Sequence, residues 1–181
     1  MASGFRGPGI PLQFPLRNRK KMMAGQRWIT VAAMLGLAGV MLGAFGAHWL
    51  NDTGYLEKKY AESPARVIAG FSVPASYGYL RNFETAVQYQ LIHASALLAC
   101  GVLMLHRNTK SLRRAAWCFT LGISIFSGSL YLLVMAGPRW AGIPWGAIVP
   151  IGGTLLLLGW FLLIIETVRW RSPSASAGES A

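Results

Sequence analysis

Residues 140–165 read WAGIPWGAIVPIGGTLLLLGWFLLII, which is 26 residues without one Asp, Glu, Lys or Arg. A helix needs about 20 apolar residues to cross a hydrocarbon core of roughly 30 Å, so this run is long enough to span. Three others match it: Trp28–Asn51 with 24 residues, Thr85–His106 with 22 and Ala115–Pro138 with 24. The next longest uncharged run, Val67–Leu80, has 14 residues and contains Pro74 and Gly78. It is too short and too interrupted to span, and is expected to be a loop lying on the membrane surface.

The composition agrees with this reading. Of 181 residues, 54% are hydrophobic and 13% charged, with 17 Lys and Arg against 6 acids and a net charge of +11. A soluble domain carries about 25% charged residues. These figures exclude an ordinary water-soluble globule, a disordered chain and a disulfide-rich secreted domain. The expected fold is all-α, a polytopic membrane protein with four transmembrane helices at about 28–50, 84–106, 115–137 and 145–168. A basic, disordered arm (1–26) precedes this domain (27–169), and a disordered tail (170–181) follows it.

The basic residues set the expected orientation. The arm, the second loop and the tail carry Arg6, Arg17, Arg19, Lys20, Lys21, Arg27, Arg107, Lys110, Arg113, Arg114, Arg169 and Arg171. The other side carries Lys58, Lys59, Arg66, Arg81 and Arg139. This asymmetry places both termini in the cytoplasm of a multi-pass plasma-membrane protein. The excess charge then faces anionic headgroups. A nucleic-acid partner is not expected, because no soluble basic face exists to bind one. The arm and first apolar run also resemble a signal peptide, but the run exceeds the roughly 7–15 residues of an h-region. Met22 or Met23 is an alternative start.

Each span offers a feature. In the first, Ala32, Gly36, Gly39, Gly43 and Ala47 fall on one helical face. Small residues let helices approach closely in lipid, for packing within the bundle or for dimerisation. The second span holds Glu84, Tyr89, Gln90 and His93. Tyr89, Gln90 and His93 share a face, and His93 falls near mid-membrane, where a polar group is costly and marks a candidate site. On the third, Ser124, Ser127, Gly128 and Tyr131 form a small, hydroxyl-bearing face able to meet His93. On the fourth, Pro150, Gly152 and Gly153 predict a kink or a break. Glu166 is placed to pair with Arg169.

Four motifs occur in order: Gly43-Ala44-Phe45-Gly46-Ala47-His48, Tyr89-Gln90 with His93, Phe126-Ser127-Gly128-Ser129-Leu130-Tyr131, and Pro150-Ile151-Gly152-Gly153. Together they resemble the YgdD/YwdK family of small bacterial inner-membrane proteins, the domain-of-unknown-function family four-two-three, over roughly residues 27–169. The resemblance implies a four-helix inner-membrane protein with no established enzymatic activity. The chain departs from the family pattern in its longer arm and in a longer first loop around Glu57–Ser76.

No cofactor or metal is expected. His93 and His106 would each need a haem ligand on another helix, and His48 lies roughly 10 Å from His93 in depth. Cys100 and Cys118 are expected to be packed thiols near the ends of neighbouring spans. There is no phosphate loop, nucleophile elbow or paired carboxylate, so the chain is not expected to be an enzyme. The expected function is a small helical bundle acting as a packing, lipid-binding or complex-associated module. Its expected partners are membrane lipid and either further copies of itself or a larger membrane complex. The alternative is an oligomeric transporter or proton-conducting protein with a polar path around His93.

Overall fold

A computed structural model describes residues 16–169. Helix α1 (Leu16–Phe45) widens into a π turn at Gly46–Leu50. A short helix α2 (Tyr55–Lys59) and a hairpin of β1 (Arg66–Ile68) and β2 (Phe71–Val73) follow. Three long helices complete the fold: α3 (Ala75–His106), α4 (Lys110–Met135) and α5 (Trp145–Val168). Four helical stretches are long and apolar enough to cross a membrane: Met22–Leu50, Ala75–His106, Lys110–Met135 and Trp145–Val168.

Several boundaries differ from the sequence expectation, each for a local reason. Residues 16–26 were expected in a disordered arm but continue α1 as helix. Gly25 explains the extension, since a Cβ there would lie 2.8 Å from the carbonyl oxygen of Gly101. The two backbones touch, and α3 supports α1 below the apolar run. The expectations for residues 1–15 and 170–181 lie outside the described residues.

The stretch 67–80 is not a simple loop. Its first half pairs as a hairpin with Arg66 opposite Val73 and Ile68 opposite Phe71. Its turn residues Ala69 and Gly70 both take positive φ, 50° and 85°, as a two-residue turn of this hand requires. Its second half opens α3. Pro74 sits at the N-cap, where its missing N–H costs nothing. The following loop is also shorter than expected. Thr109 caps α4 by accepting the Leu112 N–H at 3.2 Å, so Lys110, Arg113 and Arg114 lie on the helix. Just past the end of α4, Gly137 takes a φ of 115°, and its N–H donates to the Leu132 carbonyl at 3.2 Å. Helix α5 runs through Pro150 as one helix, so of the kink or break expected there the break is absent.

The extensive helix packing follows chain order: α1 on α3, α3 on α4, and α4 on α5. Gly39 and Gly43 pack against Leu91 and Val87 of α3, so the GxxxG face is used within the protomer. Gly36 and Gly128, expected at helix contacts, instead have open space where a Cβ would go. The tight contacts fall elsewhere. A Cβ on Gly122 would lie 2.5 Å from Leu156, and one on Gly159 2.8 Å from Phe119. Gly152 abuts the backbone of Phe126. Gly46, in the π turn, faces the Phe83 ring.

Two apolar cores result. One, around Leu97, Met104, Leu112 and Phe119, fills the end of the bundle that bears Arg113. The other, around Leu50, Leu56, Tyr60, Phe83 and Val134, fills the opposite end. The loop segment around Glu57–Ser76 builds part of the second core. Tyr60 stacks on Tyr79 and donates its hydroxyl to the Val134 carbonyl at 2.9 Å. Lys59 donates to the carbonyl of Met135. These contacts satisfy carbonyls that the last turn of α4 leaves open. Burial, then Tyr79 and Tyr55, pushes the Tyr60 hydroxyl up to about 12.

Two outcomes follow from this packing. Gly152→Ala forces α4 and α5 apart and lowers the unfolding free energy of the purified protein by about 1–3 kcal/mol, whereas Gly36→Ala changes it little. Chemical unfolding in mixed micelles distinguishes them. The folded protein holds the Tyr60 proton more tightly than the unfolded chain, whose tyrosines titrate near 10.0. Its contribution to stability is therefore complete below pH 10 and is lost as pH rises to about 12. Melting curves across that window fall more steeply for the natural protein than for Tyr60→Phe.

Candidate functional site

Between the two cores lies a polar layer centred on the middle of α3. Gln90 is buried and points at two other helices. Its side-chain nitrogen donates to the Leu35 carbonyl of α1 at 2.8 Å, and its oxygen accepts the Tyr131 hydroxyl of α4 at 2.9 Å. One turn away, Ser127 of α4 donates to the Ala86 carbonyl at 2.8 Å. Such groups are costly in hydrocarbon unless paired, and here each is paired across a helix boundary.

His93 turns the other way. It does not meet Ser127 or Tyr131. Its ring lies 6.0 Å from that of Phe119 and 6.2 Å from that of Trp160. Nδ1 is 2.7 Å from the Tyr89 carbonyl. A carbonyl only accepts, so Nδ1 carries a hydrogen, and in the neutral imidazole Nε2 then keeps a lone pair. Nε2 has no hydrogen-bond partner among the described residues, although the ring is 7% exposed. Tyr89 stacks on Phe126 at 4.4 Å, its ring half-exposed.

His93 and Tyr89 line a groove of about 660 Å³ between α3 and α5. Gln88, Phe126, Thr154 and Trp160 line it too, and Pro150 and Gly153 form part of its α5 wall. The Thr154 hydroxyl is spent on the Pro150 carbonyl at 2.9 Å. The groove therefore offers an imidazole acceptor in otherwise largely apolar and aromatic surroundings.

The six candidate residues thus separate. Gln90, Ser127 and Tyr131 join helices; Tyr89 and His93 face the groove. Glu84 belongs to neither: it pairs with Arg81 at 2.8 Å, and both side chains are well exposed. Ser124 bonds back to Thr120 on its own helix. Glu166 does not turn to Arg169 but is buried, accepting the Thr109 hydroxyl at 2.8 Å. That bond ties the α3–α4 loop to the end of α5. His48 faces Asp52 across 4.0 Å at the exposed opposite end. Cys100 and Cys118 are free thiols. Among the described residues, no three His, Cys, Asp or Glu side chains are grouped to hold a metal ion.

The sequence reading did not single out Gln88, Thr154 or Trp160. The signal was present: Gly153, Leu157 and Trp160 recur at four and three residues, a face that continues from Pro150.

The family model "Protein of unknown function (DUF423)" matches residues 42–153, more than half of the chain. The chain belongs to the DUF423 family. It is 34% identical over 143 residues to a UPF0382 membrane protein of Staphylococcus haemolyticus, covering 79% of this chain and 96% of that one. It is 29% identical over 155 residues to the UPF0382 inner membrane protein YgdD of Escherichia coli K12, covering 85% and 98%. No solved structure matches. With four helices able to span, the chain is a multi-pass protein of the bacterial inner membrane. The matched region holds the Gln90 contacts to Tyr131 and the groove as far as Gly153. Leu157 and Trp160 lie beyond it.

Tyr131→Phe leaves the Gln90 oxygen unpaired and lowers stability by about 0.6 kcal/mol, up to about 1.7. Gln90→Leu removes both bonds together, and adding Tyr131→Phe to it costs little more. A double-mutant cycle measured by reversible unfolding in bicelles checks the coupling.

Proposed function

We propose that this protein is a lipid-binding helical module whose α3–α5 groove holds a lipid-soluble amphiphile bearing a hydroxyl donor. The observation that carries the reading is the His93 Nε2 lone pair, which opens on a 660 Å³ groove near the middle of a span. A bare acceptor at that depth is expensive unless something donates to it. Water is scarce there, and a lipid-borne hydroxyl can approach laterally from the bilayer. The aromatic rings of Tyr89, Phe126 and Trp160 give such a molecule a flat surface to pack on.

The alternative, a polar path through the bundle, has less support. Gln90 and Tyr131 are satisfied by one another, and His93 faces a different neighbour. Glu84 stands apart with Arg81. The distribution of Lys and Arg supports placing both termini in the cytoplasm. The exposed apolar faces of α1 (Met34, Leu37, Met41) and α5 (Leu157, Phe161, Ile164) suit lipid contact or a protein partner.

Native mass spectrometry of protein extracted gently from its own membrane tests the reading. The natural protein retains a defined extra mass, and His93→Leu loses it while keeping its helical content and melting temperature. A bare protomer from every mild detergent would overturn the groove's role in binding.

A further inference from the structure

A second groove, of about 520 Å³, lies between α1 and α4 at the other polar level of the bundle. Arg27 and Arg113 stand at its mouth, Trp28 and Trp117 form its sides, and Val31 and Thr120 lie deeper. Arg27 immediately precedes the charge-free stretch that begins at Trp28, and Arg113 lies two residues before the one that begins at Ala115. They therefore mark the edge of the apolar slab on two helices at once. The indoles meet edge to face at 5.1 Å and 86°, and Trp117 is 56% exposed. Tryptophan at this level is typical of the headgroup interface.

The local charge is unbalanced. The ion pairs His48–Asp52 and Arg81–Glu84 lie at the opposite end of the bundle. Of the described acids, Glu166 alone lies at this end, and it is buried against Thr109. Arg27 and Arg113 have no carboxylate or hydrogen-bond acceptor among the described residues, and neither indole N–H has one. Guanidinium and indole donors thus converge on one opening. Deeper in, the Thr120 hydroxyl is spent on the Ala116 carbonyl at 2.9 Å, so that part of the groove offers little but apolar surface.

We propose that this groove binds the headgroup of an anionic glycerophospholipid. The arginines hold the phosphate, for which the planar guanidinium is well shaped. The indoles sit at the glycerol and ester level, and an acyl chain runs inward past Val31 and Thr120. Cationic pockets between spans are a recognised way of selecting such lipids. The site is separate from the His93 groove and does not rest on that reading.

The experiment uses the full chain in nanodiscs of phosphatidylcholine with a minor fraction of phosphatidylglycerol. Retained lipid is counted by native mass spectrometry after release into detergent. The natural protein retains phosphatidylglycerol over phosphatidylcholine, and Arg27→Gln/Arg113→Gln lowers that preference roughly tenfold or more. Arg114→Gln, on the same turn but outside the groove, keeps it. Equal retention of the two lipids, or an unchanged preference in the double variant, would overturn the proposal. Inorganic phosphate at millimolar concentration leaves the phosphatidylglycerol bound. Complete displacement by phosphate alone would assign the site to a free anion and sink the lipid reading.

Discussion

The side-chain amide of Gln90 holds the middle of this protein together. Water drives helices together in a soluble bundle, but lipid supplies no such force between apolar surfaces. Packing and a few polar bonds must do that work. Gln90 lies on α3, binds the backbone of α1 through Leu35 and binds α4 through Tyr131. Three helices are thereby fixed in register by one residue. Glycines make the approach possible: Gly39 brings α1 against Leu91 and the Gln90 side chain itself. An amide would be a liability at this depth if either end were left open, and neither is.

The four spans were legible because their signal is one-dimensional. A run of 22 to 26 uncharged residues needs no knowledge of its neighbours. The ends were harder, since Pro74 and Thr109 look like loop residues until they are seen capping helices. The first loop was less legible still. Its hairpin depends on Ala69 adopting a positive φ that its residue type disfavours.

The candidate site was half legible, for a related reason. Helical period says which residues share a face but not what that face meets. It placed Tyr89, Gln90 and His93 together on α3, whose neighbours then divide them between α4 and α5. It named Gly36 and Gly43 alike, although only Gly43 has a helix opposite it. Glu166 shows the limit most plainly. Its nearby partner in sequence was Arg169, while its partner in space is Thr109, 57 residues away. The two grooves escaped notice because each is made by helices that are not consecutive spans.

The chain-order packing of the spans bears on how the protein is assembled. Each new span meets its main partner in the one inserted just before it, so no helix must wait for a distant segment before it can dock. Contacts between consecutive elements close short loops and form quickly. The first pair can already make the Gln90–Leu35 bond when the third span arrives with Tyr131. Assembly can proceed in the order of synthesis, with no intermediate that leaves the amide wholly unpaired.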